Sequence, residues 1–406
     1  MSEHDIERLG HHGDGIAEGP VFVPLTLPGE RVSGDIVGNR LADPKILRPS
    51  PDRVTPPCRH FKHCGGCQLQ HASDDLVAAW KVDVVRQALA AQGVSADFRP
   101  IVTSPAQSRR RAALSVRRTK KGALAGFHSR GTNVIAEIPD CQLLHPDLMP
   151  ALKVAEALAV LGASRKAELT VTATLSRGGV DIAARGGKEP DGPLLARLAQ
   201  AAEAHGLARL SWNDEVIATR LPPIQVFGKA EVSPPPGAFL QATEEGEAAL
   251  VMAVKEAVGS AAKVIDLFAG CGTFALPLAE GARVHAVEGD RAMTRALEDG
   301  WRMASGLKHV TTEARDLFRN PVIVEDLRYD AAVIDPPRAG AEAQVRELAA
   351  SAIPRIAFVS CNPATFARDA AILISSGYTL DWVQVVDQFR WSAHVELAAL
   401  FTRGKA

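Results

Sequence analysis

The feature that most constrains this chain is the regular exchange of strand and helix patterns from about Phe239 to the C-terminus. A helical stretch, Glu244–Val258, leads into the strand Lys263–Leu267, a glycine-bearing turn and a strand at 283–287. Strands at 329–334 and 355–359 follow, with helical segments between them, and 380–386 and 394–401 read as a closing antiparallel hairpin around a Trp-bearing turn. Strands separated by helices lie parallel in one sheet with helices on both faces, and such sheets bind ligands at the carboxyl ends of their strands. Each loop that follows a strand here is a candidate for chemistry.

The remaining sequence is organised differently. A chain of 406 residues exceeds what one core usually holds, so two or three domains are expected. Short apolar runs broken by Gly and Pro over 1–52 suggest a small β-barrel, and Pro-rich stretches near 48–57 read as a linker. Residues 73–92 form a helix, capped by Ser73, with Leu76, Trp80, Val84 and Leu89 as its apolar stripe. We expect a central α+β domain from 53–71 and 100–230, and a catalytic α/β domain from 72–99 and 231–406. The polar first ten residues and the lack of any run of about 18 apolar residues predict a cytoplasmic protein without a membrane span. Monomer is the default expectation.

The net charge is −1, yet its distribution is uneven. From Arg99 to Arg130 there are nine Lys or Arg and no acid. A solvated basic face is the bland explanation. An acid-free window of this length favours a phosphate-binding surface, with Arg109, Arg110, Arg111, Arg117, Arg118, Lys120 and Lys121 as candidate RNA contacts.

The strand Lys263–Leu267 runs into Phe268-Ala269-Gly270-Cys271-Gly272-Thr273. Gly270 lets a ligand approach the backbone closely, and Glu288 ends the next strand, where it can accept hydrogen bonds from ribose hydroxyls. The turn lacks the third glycine of a dinucleotide site and any Lys-Ser/Thr of a triphosphate site, so a nucleoside cofactor without phosphates fits, S-adenosylmethionine being the common one. Asp335-Pro336-Pro337-Arg338 then places an acid at the carboxyl edge of the sheet on a proline-stiffened loop.

Ser360-Cys361-Asn362-Pro363 follows the 355–359 strand. A cysteine is usually filler, but this one stands before a helix start near Ala364, which should favour the nucleophilic thiolate. Addition of a thiolate to C6 of uracil makes C5 enolate-like and able to accept a methyl group, after which a base must remove the C5 proton. Glu396 is the candidate base, placed by alternation on the same face as His394. Solvent-facing positions on an edge strand are the alternative for both.

Cys58, Cys64 and Cys67 lie within ten residues, which favours a metal site over disulfides in a chain without signs of export. With Cys141 they form a four-thiolate set that could hold zinc or an iron–sulfur cluster.

Taken together, CRHFKHCGGCQLQH, FLQ, DLFAGCGTF, VEGD, DPPR, VSCNP and HVEL resemble the RNA 5-methyluridine methyltransferase family, in particular its branch acting on 23S ribosomal RNA. The resemblance spans nearly the whole chain and includes an N-terminal block similar to a TRAM domain of the OB type. It implies a Rossmann-like S-adenosylmethionine-dependent catalytic domain, Cys361 as nucleophile and Glu396 as base. It implies cofactor contacts from Gln241, Phe268, Gly270, Thr273, Glu288, Asp316 and Asp335, and Phe239 near a flipped-out base. It assigns Cys58, Cys64, Cys67 and Cys141 to a [4Fe-4S] cluster in the central domain. Ala242-Thr243 after FLQ, and Thr273 in the Gly-rich loop, depart from the family pattern. Rival readings are a transfer-RNA uracil-5 or an RNA cytosine-5 methyltransferase, and an iron–sulfur redox or radical RNA-modifying enzyme.

Overall fold

The computed structural model describes residues 2–404 and builds them around three main sheets. Seven short strands between residues 2 and 48 form the first, about a small core of Ile6, Val21, Val23, Val32 and Leu41. Ser2–Leu9 lies at its centre, between Gly15–Ala17 and Arg31–Gly34. It is barrel-like but open, because its two end strands are not paired with each other among the described residues.

A second seven-stranded sheet occupies the middle of the chain, including Arg111–Arg118, Leu169–Ser176 and Gly179–Arg185. The helices Ala151–Gly162 and Gly192–Ala204 pack on it, burying Leu158, Leu198 and Trp212. The first of these helices was not expected from the sequence.

The third sheet carries the strands labelled here β1 (Lys263–Leu267), β2 (Arg283–Glu288), β3 (Val310–Ala314), β4 (Ala331–Ile334), β5 (Arg355–Ser360), β6 (Thr379–Asp387) and β7 (Glu396–Thr402). Their order is β3-β2-β1-β4-β5-β7-β6, with Val102–Thr103 added at the β6 edge. The first five are parallel and β7 runs antiparallel to both neighbours. Chain order reverses between β1 and β4, so their carboxyl ends open a crevice where no crossover covers the sheet. Buried apolar side chains fill both faces, as parallel strands require.

The helix Asp74–Ala90 begins as expected, with the Ser73 hydroxyl accepting from the Leu76 amide at 3.2 Å. Its buried face differs from the expected stripe. Val77, Trp80, Lys81, Val85 and Leu89 are buried, and it packs against the Pro363–Ser375 helix of the third sheet. A polar side chain thus occupies a core position that apolar periodicity does not reveal. Among the described residues, no helix is long and apolar enough to cross a membrane.

Candidate active site

The carboxyl ends of β1, β2, β4 and β5 surround a cleft of about 720 Å³. Gln241, Phe268, Gly270, Thr273, Glu288, Asp316 and Asp335 line it, together with Phe239, Arg338, Cys361, His394 and Glu396. Seven expected cofactor residues and both expected catalytic residues therefore converge on one space.

The first loop is shaped by its backbone. Gly270 and Gly272 have φ of 56° and 101°, the left-handed region where a side chain is strained. A Cβ on Gly272 would also lie 2.7 Å from Leu276. Phe268 adopts φ 63° without being glycine, a strain found mostly at functional sites, and its ring meets Phe318 at 5.4 Å between centroids. Phe318 lines the cleft as well, and the sequence reading missed it. Its signal was the aromatic two residues after Asp316.

Glu288 joins two loops. Its carboxylate accepts from the Gly270 amide at 3.0 Å and from the Asp290 amide at 2.9 Å. Burial and the charge of Glu288 push Asp335 up to about 7. Burial and then Asp335 hold Glu396 well above the usual carboxylate range, while a hydrogen bond from Gln388 and the charge of Arg338 oppose this. A cleft with this density of carboxylates suits a cationic ligand.

The Pro363–Ser375 helix starts as expected, with Asn362 accepting from the Ala364 amide at 3.1 Å. The expected stabilisation of the Cys361 thiolate is not obtained, and this corrects the sequence reading. Burial, then Glu396 and Asp335, raise the thiol to about 11, which outweighs the charge of Arg338. His394 needs a second correction. It precedes β7, so strand alternation does not place it, although it reaches the same cleft through the loop. Its ring faces Arg338 Nη2 at 3.0 Å, and burial followed by that charge lowers its pKa to about 4.

The basic window divides. Arg110 is buried, donating to Glu247 at 2.5 Å and to the Gln241 carbonyl at 3.3 Å. It braces the cofactor side of the cleft and is withdrawn from the expected RNA surface, because desolvating a guanidinium requires a paired acid. Arg111 donates to the carbonyls of Ala238 and Gly237, behind Phe239, and Arg109 lies 5.8 Å from the Phe389 ring. Arg117, Lys120 and Lys121 are exposed and Arg118 is half-buried.

Cys58, Cys64, Cys67 and Cys141 line one small enclosed cavity with Phe61 and Phe127. Amides of Gly66 and Leu143 point at the sulfurs of Cys64 and Cys141, each at 3.4 Å. Burial pushes the Cys67 thiol up to about 12. Among the described residues, no group of three or more His, Cys, Asp and Glu has the arrangement of a metal's ligands. Cys271 is buried in the core beneath the glycine-bearing loop.

A glycine-turned loop, a carboxylate at the end of the second strand and an acid after the fourth define an S-adenosylmethionine-dependent methyltransferase, with a cysteine and a glutamate added at the same cleft. Comparison with known proteins extends this. Residues 236–404 match the family model described as tRNA (uracil-5-)-methyltransferase. A protein of Rhizobium meliloti (strain 1021), described as an uncharacterized RNA methyltransferase, is 44% identical over 97% of each chain. The 23S rRNA (uracil(1939)-C(5))-methyltransferase RlmD of Halomonas elongata is 33% identical over 96% of this chain and 87% of its own. The crystal structure of Pyrococcus abyssi tRNA (uracil-54, C5)-methyltransferase with S-adenosyl-L-homocysteine superposes with a TM-score of 0.77, 98% and 99% of the two chains and 21% identity. The chain belongs to the RNA uracil-5-methyltransferase family.

Proposed function

We propose that the protein methylates carbon 5 of a uridine in ribosomal RNA, with Cys361 as nucleophile and Glu396 as base. The observation that carries this reading is the meeting of Cys361, Glu396, Asp335 and the Gly270 loop in one cleft. When bound, S-adenosylmethionine supplies a methyl group on a positively charged sulfonium. Gln241, Phe268, Thr273, Glu288, Asp316 and Asp335 would hold it, and the carboxylates complement its charge. Phe239, 60% exposed at the cleft, offers a face on which a flipped-out base stacks.

Cys361, its thiol proton given up to solvent, bonds through sulfur to C6 of the uracil. The ring electrons move to C5, which takes the methyl group as the bond from that methyl to the sulfonium breaks and its pair stays on the departing sulfur. Glu396 then accepts the C5 proton. The pair from that C–H bond restores the C5–C6 double bond as the C6–S bond breaks and its electrons return to Cys361. Burial keeps Glu396 (2% exposed) away from bulk water, which suits a base that must act only on the adduct.

Four thiols around one cavity, with amides aimed at two sulfurs, fit a four-thiolate metal group better than isolated core cysteines. Cys58, Cys64, Cys67 and Cys141 would hold a [4Fe-4S] cluster, whose part here is structural. The positive charges of Arg109 and Arg130 lie close enough to offset thiolates. The open N-terminal sheet is assigned as a TRAM-like RNA-binding domain, and the exposed Lys120–Lys121 turn adds a phosphate contact.

Ribosomal RNA as substrate is supported by the RlmD relative. Transfer RNA is the second reading, favoured by the description of the matching family model. Nucleoside mapping of 5-methyluridine in ribosomal and transfer RNA from a strain lacking this gene separates the two. An unchanged 5-methyluridine content in both would remove the proposed activity. With purified protein, Glu396→Gln should trap a covalent RNA adduct, and full turnover by that variant would exclude Glu396 as base.

A further inference from the structure

We propose that Gln388 is a positioning residue that fixes both the cofactor-side amide of Gln241 and the catalytic carboxylate of Glu396. The inference rests on the reading of the cleft given above and adds a residue that does not line it.

Gln388 follows β6 directly and is 1% exposed. Its Oε1 accepts from the backbone amide of Ala242 at 2.7 Å. A backbone N–H can only donate, so this contact settles which end of the Gln388 side chain is oxygen. The NH2 end must then face the other way. It donates to Oε1 of Gln241 and to Oε2 of Glu396, the latter at 3.1 Å.

Two consequences follow. Because Gln241 Oε1 is occupied, its NH2 is the group left to donate into the cleft it lines. Because Glu396 Oε2 is occupied, Oε1 is the oxygen left to receive the C5 proton. One amide thus sets the donor presented to the cofactor and the atom that acts as base.

The mount is rigid. Asp387, the preceding residue, is held by the buried Lys81 and accepts from the Phe389 amide at 3.1 Å. Arg110 braces the Gln241 carbonyl, and Glu247 of the Glu244–Val258 helix pairs with Arg110 behind it. The other groups facing Glu396 are Asp335 and Arg338 after β4 and Cys361 after β5, with His394 in the loop leading to β7. Gln388 is the side chain that donates a hydrogen bond to the Glu396 carboxylate. Losing it leaves the carboxylate less stabilised and therefore protonated at higher pH.

The test is Gln388→Met, which keeps side-chain length and removes both ends of the amide, with Gln388→Glu as its partner of matched shape. Methylation of a ribosomal RNA fragment is followed against pH, and S-adenosylhomocysteine affinity is measured without RNA. For the methionine variant we expect the acid limb of kcat to move up by about one pH unit. We expect affinity to weaken about tenfold, the usual effect of one lost hydrogen bond. Turnover should recover toward wild type at high pH, which a merely structural defect does not produce. The glutamate variant, placing a third charge beside Glu396 and Gln241 Oε1, should shift the limb further. An unmoved acid limb together with wild-type affinity in either variant overturns the proposal. If Gln388→Met does not fold, the glutamate variant decides by the same readouts. Wild-type protein that makes no 5-methyluridine would remove the underlying activity, and the affinity measurement would still judge the Gln241 arm by itself.

Discussion

Lys81 and Asp387 stand 306 residues apart and form a fully buried ion pair. Lys81 also donates to the Phe389 carbonyl at 3.2 Å, so the Asp74–Ala90 helix holds the end of β6 from which the Gln388 loop departs. Burial lowers the Lys81 pKa, and the neighbouring carboxylate is what keeps the ammonium charged.

Removing one member of such a pair strands the other charge without water. Lys81→Met should therefore destabilise the protein by about 3–5 kcal/mol, measured by urea unfolding. Methylation by the folded fraction should also fall, because the loop carrying Gln388 and leading to Glu396 loses a support. Wild-type stability in this variant would show that the pair is not formed.

The raised thiol of Cys361 sets a pH dependence. Alkylation by iodoacetamide, read at Cys361 by mass spectrometry, should rise through about pH 11, against an ordinary thiol near 9. Glu396 is one cause of the shift, and its negative charge disfavours the thiolate. Glu396→Gln should accordingly move the alkylation profile to lower pH, whereas Arg338→Gln should move it upward. A profile identical in all three proteins would contradict the arrangement.

The cysteine cavity predicts a metal content. Protein purified without oxygen should carry iron and acid-labile sulfide with visible absorbance, and Cys141→Ser should lose most of both. Zinc without sulfide would replace the cluster by a simple tetrathiolate site. Amides of Gln68 and Leu69 hold the Trp391 carbonyl at 2.7 and 2.9 Å, just after Cys67. Loss of the metal should thus also lower methylation, although none of the four cysteines lines the catalytic cleft.

The exposed basic turn should act through phosphates. Lys120→Ala with Lys121→Ala should weaken RNA binding and reduce the slope of log affinity against log salt by about 1.4 to 1.8, with S-adenosylhomocysteine binding unchanged. Arg110→Ala should do the reverse: it should weaken cofactor binding through Gln241 and lower stability, since Glu247 is left buried and unpaired. Equal effects of the two changes on RNA binding would return Arg110 to the RNA surface.

Much of the site was legible before any coordinates. Asp335 and Cys361 stand out because each follows a strand in a parallel sheet, where the carboxyl edge is the binding edge. Glu396 was read instead from alternation within a strand at 394–401 that in the structure begins at Glu396 itself. The limits of the elements read in that half agree closely, and Glu244–Val258 and Lys263–Leu267 agree to the residue, but the edge strand Val310–Ala314 was not read from the sequence. These readings depend on local pattern and turn chemistry, which neighbouring residues determine.

What the sequence alone determined was the order of most elements, the glycine-bearing loop and the candidate residues that meet in the cleft, because periodicity, glycine placement and short motifs are local. Only the tertiary structure decided which charges are used inside. Arg110 reads like Lys120 in the chain, and Lys81 reads like any helix lysine, yet both are buried against acids 137 and 306 residues away. Burial and pairing at such distances depend on how the sheets and helices stack, and the same stacking raises Cys361 where its local context alone predicted a stabilised thiolate.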